Sequence, residues 1–268
     1  MSLPSGLGAN VHSQLVPGPL VRPLFAWVRF DLSRLSAGKT PTASTVALIR
    51  SAQTWYGAMG CGVLWCVDNV VGIQSLVSAG IKGAAVEFIN EPNIAFPADP
   101  KWNNPGRRAY GPVEYVALLK QASILCRRMG YTLIAPSVST WKGWDGVAWM
   151  LGAAGAGLLN YCDAVSSHPY GVLSDHDLWD LINMQRTAWG GKPFLFTEFC
   201  SPKMDSKTLA DIVRQAAFEK IAFCLYDLGA TDPAVQLIDN LDLSKAAPTQ
   251  LYRDLFANLM PGAVPSWT

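Results

Sequence analysis

The segment Ala84-Ala-Val-Glu-Phe-Ile-Asn90, followed at once by Glu91-Pro92-Asn93, is a short, nearly continuous apolar run that ends in polar side chains. A strand with one wet face alternates apolar and polar residues, whereas a run this continuous belongs to a strand covered on both faces. The pattern recurs at Leu7–His12, Phe25–Leu32, Gly62–Asp68, Tyr131–Ser139, Ala164–His168, Pro193–Phe199 and Ile221–Tyr226. Between these runs lie helical patterns. Thr42–Met59 carries Val46, Ile49 and Ala52 on one face, and Gly111–Met129 opens with Pro112 and closes at Gly130. Ser174–Trp189 stops at Gly190-Gly191, Ser206–Phe218 repeats Leu209, Ile212, Val213 and Ala216, and Thr249–Leu259 carries Leu251, Leu255 and Leu259.

Strands alternating with helices imply a parallel sheet with right-handed crossovers. Eight strands at roughly 30 residues per unit match the economy of a (β/α)8 barrel. The expectation is therefore an α/β, single-domain (β/α)8 TIM barrel over residues 1–268, with a doubly wound sheet as the runner-up. The first crossover, from His12 to Phe25, holds Pro17, Pro19 and Pro23 and leaves room for a short helix at most.

Composition narrows the function classes. Half of the 268 residues are hydrophobic, only 15% are charged and ten are Trp, which argues against disorder. A net charge of +1 offers no electrostatic footprint for nucleic acid or an anionic membrane. Val147–Leu159 is too short and too Gly-rich for a bilayer span, and Met1–Leu15 lacks the basic start and apolar core of a secretory signal. The expectation is a monomer in the cytoplasm, or one released by lysis or non-classical export if it is a phage or cell-wall enzyme. The six cysteines show no zinc-type or C-x-x-C spacing and are read as reduced.

In a (β/α)8 barrel the active site lies at the carboxyl ends of the strands. Those ends are rich in polar groups: Arg29 and Asp31 on the second run, Asp68 on the third, Asn90 and Glu91 on the fourth, His168 and Tyr170 on the sixth, Glu198 on the seventh and Tyr226 on the eighth. Glu91 and Glu198 are 107 positions, or three βα units, apart. That offset puts them across the barrel mouth from each other. Two facing carboxyls split their pKa values, so one can serve as acid while the other is an anion, the pair that glycoside cleavage needs.

Asn90-Glu91-Pro92-Asn93, His168-Pro169-Tyr170 and Thr197-Glu198-Phe199, in that order and with Trp27-Val-Arg-Phe-Asp-Leu32 upstream, resemble the clan A glycoside hydrolases. These are retaining (β/α)8 enzymes that include cellulases, mannanases and β-xylosidases. The resemblance implies Glu91 as general acid/base and Glu198 as nucleophile. It also implies that Asn90 binds the sugar 2-hydroxyl, that Tyr170 donates to Glu198, that His168 lines the subsite and that Arg29 favours the ionised nucleophile. Where such enzymes often carry a Trp platform on strand eight, this chain has Tyr226, with Trp65 and Trp141 as further stacking candidates. No metal or organic cofactor is required, and the expected partner is a carbohydrate substrate.

Blander readings stand beside these. Glu91 could cap a helix or loop, Arg29 could pair with Asp31 or Asp68, and His168 could be a satisfied core histidine. Trp149 reads as helix core. Gly152-Ala-Ala-Gly-Ala-Gly157 ends a helical pattern instead of following a strand and is not a dinucleotide fingerprint. Two alternatives remain for the function: a phage-type lysin or depolymerase using the same chemistry on cell-wall or capsular glycan, and a non-catalytic carbohydrate-binding barrel. A lyase or aldolase would want a Schiff-base lysine at a strand end, and none of the runs ends in one.

Overall fold

The structure, a computed structural model, describes residues 3–12, 14–16, 18–21, 24–32, 40–97, 106–139, 145–170, 175–199, 205–225 and 249–263. Eight parallel strands pair in chain order: β1 (Leu7–Asn10), β2 (Trp27–Asp31), β3 (Gly62–Val67), β4 (Ala85–Phe88), β5 (Thr132–Ser139), β6 (Ala164–His168), β7 (Phe194–Phe199) and β8 (Ala222–Leu225). β8 pairs back onto β1, so the sheet is a closed (β/α)8 barrel and the doubly wound alternative is excluded. Each expected strand is present, trimmed at its ends where polar residues leave the sheet.

The helices are α1 (Gly18–Val21), α2 (Ala43–Ala58), α3 (Val70–Ser78), α4 (Pro112–Met129), α5 (Asp145–Gly155), α6 (Asp175–Ala188), α7 (Ser206–Phe218) and α8 (Gln250–Leu259). Their ends follow local chemistry. Thr42, Asp205 and Thr249 cap α2, α7 and α8 by accepting from backbone N–H groups one turn in, and α4 ends where Gly130 turns left-handed at φ 66°. The first crossover holds only the four residues of α1, as its prolines require. α3 was not expected: Asn69–Ser78 has no charged residue to mark a solvent face. Its start is set by the Asn69 side chain, which accepts from Gly72 N at 3.1 Å.

The lumen is filled in layers. At the amino ends of the strands Trp27, Leu64, Ala85, Ile134, Ala164, Leu195, Ala222 and Cys224 form an apolar plug, with Leu3 packed against it. Trp27 fits because β1 contributes Gly8 beside it: a Cβ there would lie 2.3 Å from the indole. The larger core lies between the outer faces of the strands and the helices. α8 fastens the ends of the chain together, because the Tyr252 hydroxyl donates to Leu20 O at 2.6 Å and its ring stacks on Phe25 at 5.9 Å. No helix among the described residues is long and apolar enough to cross a membrane.

Candidate active site

Above the plug the lumen turns polar. Arg29 on β2 points into it and is only 1% exposed. Its Nε donates to both oxygens of Glu87 at 3.2 and 3.1 Å, and its Nη2 reaches Glu87 Oε1 at 2.6 Å. The same Nη2 donates to Asn90 Oδ1 at 2.7 Å and lies 3.1 Å from Cys66 Sγ, while Nη1 donates to Glu198 Oε1. Arg29 is therefore a hub that ties β2, β3, β4 and β7 together. Its ion pairs run to Glu87 and Glu198.

The end of β4 is bent sharply. Ile89 and Glu91 adopt positive φ, 61° and 45°, which is rare for residues with a Cβ. Asn90 sits between them, with its N–H donating to Asp68 Oδ1 at 3.1 Å and its amide oxygen held by Arg29. That leaves the amide nitrogen of Asn90 without a protein acceptor among the described residues. The turn aims the Glu91 carboxyl at His168 Nδ1, 3.2 Å away, so Glu91 caps no helix.

On β7 the pairing with β8 slips between Phe196 and Phe199. The irregularity brings two consecutive residues to the same imidazole: Thr197 Oγ1 is 3.1 Å from His168 Nε2, and Glu198 Oε2 is 3.8 Å from His168 Nδ1. Glu198 also accepts from Tyr170 Oη and from Asn10 Nδ2 at 3.2 Å. A single Nδ1 atom 3.2 Å from Glu91 Oε1 and 3.8 Å from Glu198 Oε2 keeps these two carboxyl oxygens no more than about 7 Å apart.

The charges are interlocked. Burial pushes the Glu87 carboxyl up, but Arg29 and His168 outweigh it and hold it well below the usual carboxylate range. Burial opposes a charge on His168, yet Glu198, Glu87 and Glu91 together carry its pKa from 6.5 up to about 9, so the ring is a cation at neutral pH. Burial raises the Glu198 carboxyl, with the charge of Glu91 adding to it, and His168, Arg29 and the Tyr170 hydroxyl pull it back. Glu198 receives three hydrogen-bond donors against one for Glu91. Such an arrangement can protonate on one side of a bond and attack on the other. Among the described residues no group of His, Cys, Asp and Glu is placed to hold a metal ion.

Of the residues singled out in the sequence, Arg29, Asn90, Glu91, His168, Tyr170 and Glu198 converge on this cluster. Trp65 does not. It is 1% exposed and packs edge-on to Phe30 at 5.4 Å outside the barrel wall, because it alternates with the inward-facing Leu64 and Cys66. Tyr226 and Trp141 lie outside the described residues. Trp149 is helix core as read, its Nε1 donating to Tyr110 O at 2.8 Å. From the sequence, Thr197 enters only as part of the Thr197-Glu198-Phe199 motif, and Glu87, Asn10 and Ser137 are given no role at all. Ser137 donates to Glu87 from β5. Glu87, Asn10 and Ser137 sit at lumen positions inside runs that read as plain strand, where a search for roles at the run ends gives them none.

No family model and no curated protein matches the sequence. Solved structures do share the architecture. A GH128 (subgroup II) endo-β-1,3-glucanase from Sorangium cellulosum superposes with a TM-score of 0.64 at 18% identity, over 94% of this chain and 97% of that one. A β-mannanase from Streptomyces thermolilacinus gives 0.66 at 16% identity, over 95% and 88%. An endo-β-1,4-glucanase from Xanthomonas axonopodis pv. citri gives 0.66 at 10% identity, over 96% and 99%. At these identities the likeness establishes the (β/α)8 fold.

Proposed function

We propose that the protein is a retaining glycoside hydrolase that cleaves O-glycosidic bonds of a poly- or oligosaccharide by double displacement. The observation that carries this reading is the single imidazole of His168 lying against both the Glu91 and the Glu198 carboxyls. Retaining enzymes space their carboxyls at about 5 Å, a spacing that the ceiling of about 7 Å set by the shared ring accommodates. In the first step Glu91 gives its proton to the leaving oxygen as the Glu198 carboxylate attacks the anomeric carbon. The glycosidic bond breaks and a glycosyl ester forms. In the second step water gives a proton to Glu91 and attacks the same carbon, and Glu198 departs as carboxylate. Arg29, Tyr170 and Asn10 stabilise that anion, and the unengaged amide nitrogen of Asn90 is the donor for the sugar 2-hydroxyl.

The structurally similar proteins are named as glucanases and mannanases, so β-1,3-glucan, β-1,4-glucan and mannan come first as substrates, ahead of bacterial exopolysaccharide and cell wall. The test is reducing-end release across that panel by wild type beside Glu198→Gln. Wild type should release reducing ends and the variant should fall by roughly a thousandfold or more while melting normally. Release that survives in Glu198→Gln would sink the assignment. Glycan binding with no release by either protein would make the barrel a binding module.

A further inference from the structure

The acid/base loop contains an arginine that neither the sequence reading nor the proposed chemistry uses. Arg107 Nη2 donates to two consecutive carbonyls, Asn90 O and Glu91 O, the second at 2.9 Å. In an extended strand successive carbonyls point to opposite sides, so one nitrogen cannot reach both. They converge here because Glu91 is left-handed. The contact is made to the strained turn that aims the Glu91 carboxyl at His168.

Arg107 is itself tightly held. Its backbone exchanges two hydrogen bonds with Phe96, both at 2.7 Å. Its guanidinium lies over the rings of Phe96 and Tyr110, 5.1 and 5.5 Å from their centroids. The remaining nitrogens, Nε and Nη1, are buried with no hydrogen-bond acceptor among the described residues. A charged group that leaves two donors buried between aromatic faces is stacked in place and directed at the carbonyls, not presented to solvent. Tyr110 N also donates to Pro92 O at 2.8 Å, which ties the stacking ring to the same turn.

We propose that Arg107 is a positioning residue for the acid/base: it clamps the Asn90–Glu91 turn in its left-handed form and so holds the Glu91 carboxyl opposite Glu198. The proposal rests on the glycosidase reading for its kinetic consequence, but not for its structural one. The structural arm is a crystal structure of Arg107→Ala. Glu91 should leave the left-handed region and lose its contact with His168, with the barrel otherwise unchanged. Retention of both would overturn the clamp.

The kinetic arm compares wild type, Arg107→Ala, Arg107→Lys and Arg108→Ala on cello-, laminari- and manno-oligosaccharides and on the matching 2,4-dinitrophenyl β-glycosides. Arg107→Ala should lose roughly 10- to 100-fold in kcat on oligosaccharides, the range of one charge-assisted hydrogen bond. It should lose less in forming the glycosyl ester from dinitrophenyl glycosides, whose leaving group needs no proton. Azide should then speed turnover of those glycosides, as with Glu91→Ala, because it displaces Glu198 from the anomeric carbon without needing a base. Arg107→Lys, which keeps the charge and one donor, should recover part of the loss. Arg108→Ala, which removes an exposed partner of Glu114, should behave as wild type. An equal loss on every leaving group, with no response to azide, would overturn the proposal. Wild type inert on all substrates would overturn the glycosidase reading instead, and the crystal structure would still decide the clamp.

Discussion

Replacing Glu87 by Gln removes one charge from the barrel lumen and little else, since the amide keeps the shape and an acceptor for Arg29 and Ser137. With Glu87 neutral, the Glu91 and Glu198 carboxyls lose a negative neighbour. Glu87 lies 3.8 Å from the imidazole that Glu91 contacts and shares Arg29 with Glu198, so the lost charge sits roughly 6 Å from the pair. At an effective dielectric of about 20 this is worth about 3 kcal/mol, or about 2 pKa units. Losing a nearby negative charge stabilises the anions, so the acid's pKa must fall. In a pH profile of kcat/KM the alkaline limb of Glu87→Gln should move down by about 2 units, with activity retained at acid pH and lost near neutrality. Melting curves across the same range establish that the variant stays folded. A profile with unmoved limbs, scaled down evenly, would refute the electrostatic argument and leave Glu87 a brace for Arg29.

Two stability predictions accompany it. His168 titrates at about 9 in the folded protein against 6.5 unperturbed, so its stabilising contribution is complete below pH 6.5 and is lost as pH rises through 9. The shift is worth on the order of 3 kcal/mol, and urea melts at pH 6 and 9.5 should show that much more pH dependence in wild type than in His168→Gln. Gly8→Ala would set a methyl 2.3 Å from the Trp27 indole, inside the plug and walled by neighbouring strands. It should lose about 1–3 kcal/mol in denaturant melts, and Trp27→Phe in the same chain should restore part of the loss.

The barrel was legible because its strands are apolar on both faces, so burial could be read without knowing which face was inside. Helix α3 was hidden because Asn69–Ser78 carries no charge to set against its apolar side. The site was half legible for a related reason. Glu91, His168 and Glu198 end their strands, where polar residues stand out. Glu87 sits in mid-run, yet it shares parity with Ala85 of the plug, as Arg29 does with Trp27. A carboxylate and a guanidinium at inward parity on nearby strands must pair or be neutralised, and that signal was available. The same parity would have ruled out Trp65, which lies between inward-facing Leu64 and Cys66. The slip in β7 that turns both Thr197 and Glu198 toward His168 has no sequence mark, since it depends on pairing with β8.

The closure of β8 onto β1 has a consequence for how the chain is made. Leu7–Ala9 pair with Phe223–Leu225, and Leu20 waits for Tyr252, 232 positions later. At translation rates of roughly 5–20 residues per second, β1 emerges some ten to forty seconds before its last partner. Through that interval it is an unmatched edge beside an unfinished sheet, the setting in which nascent chains pair with one another. Four residues with a glycine at the second position make a poor template for such pairing. The glycine that lets Trp27 seat in the finished barrel thus also leaves the earliest strand too weak to recruit a stranger during synthesis.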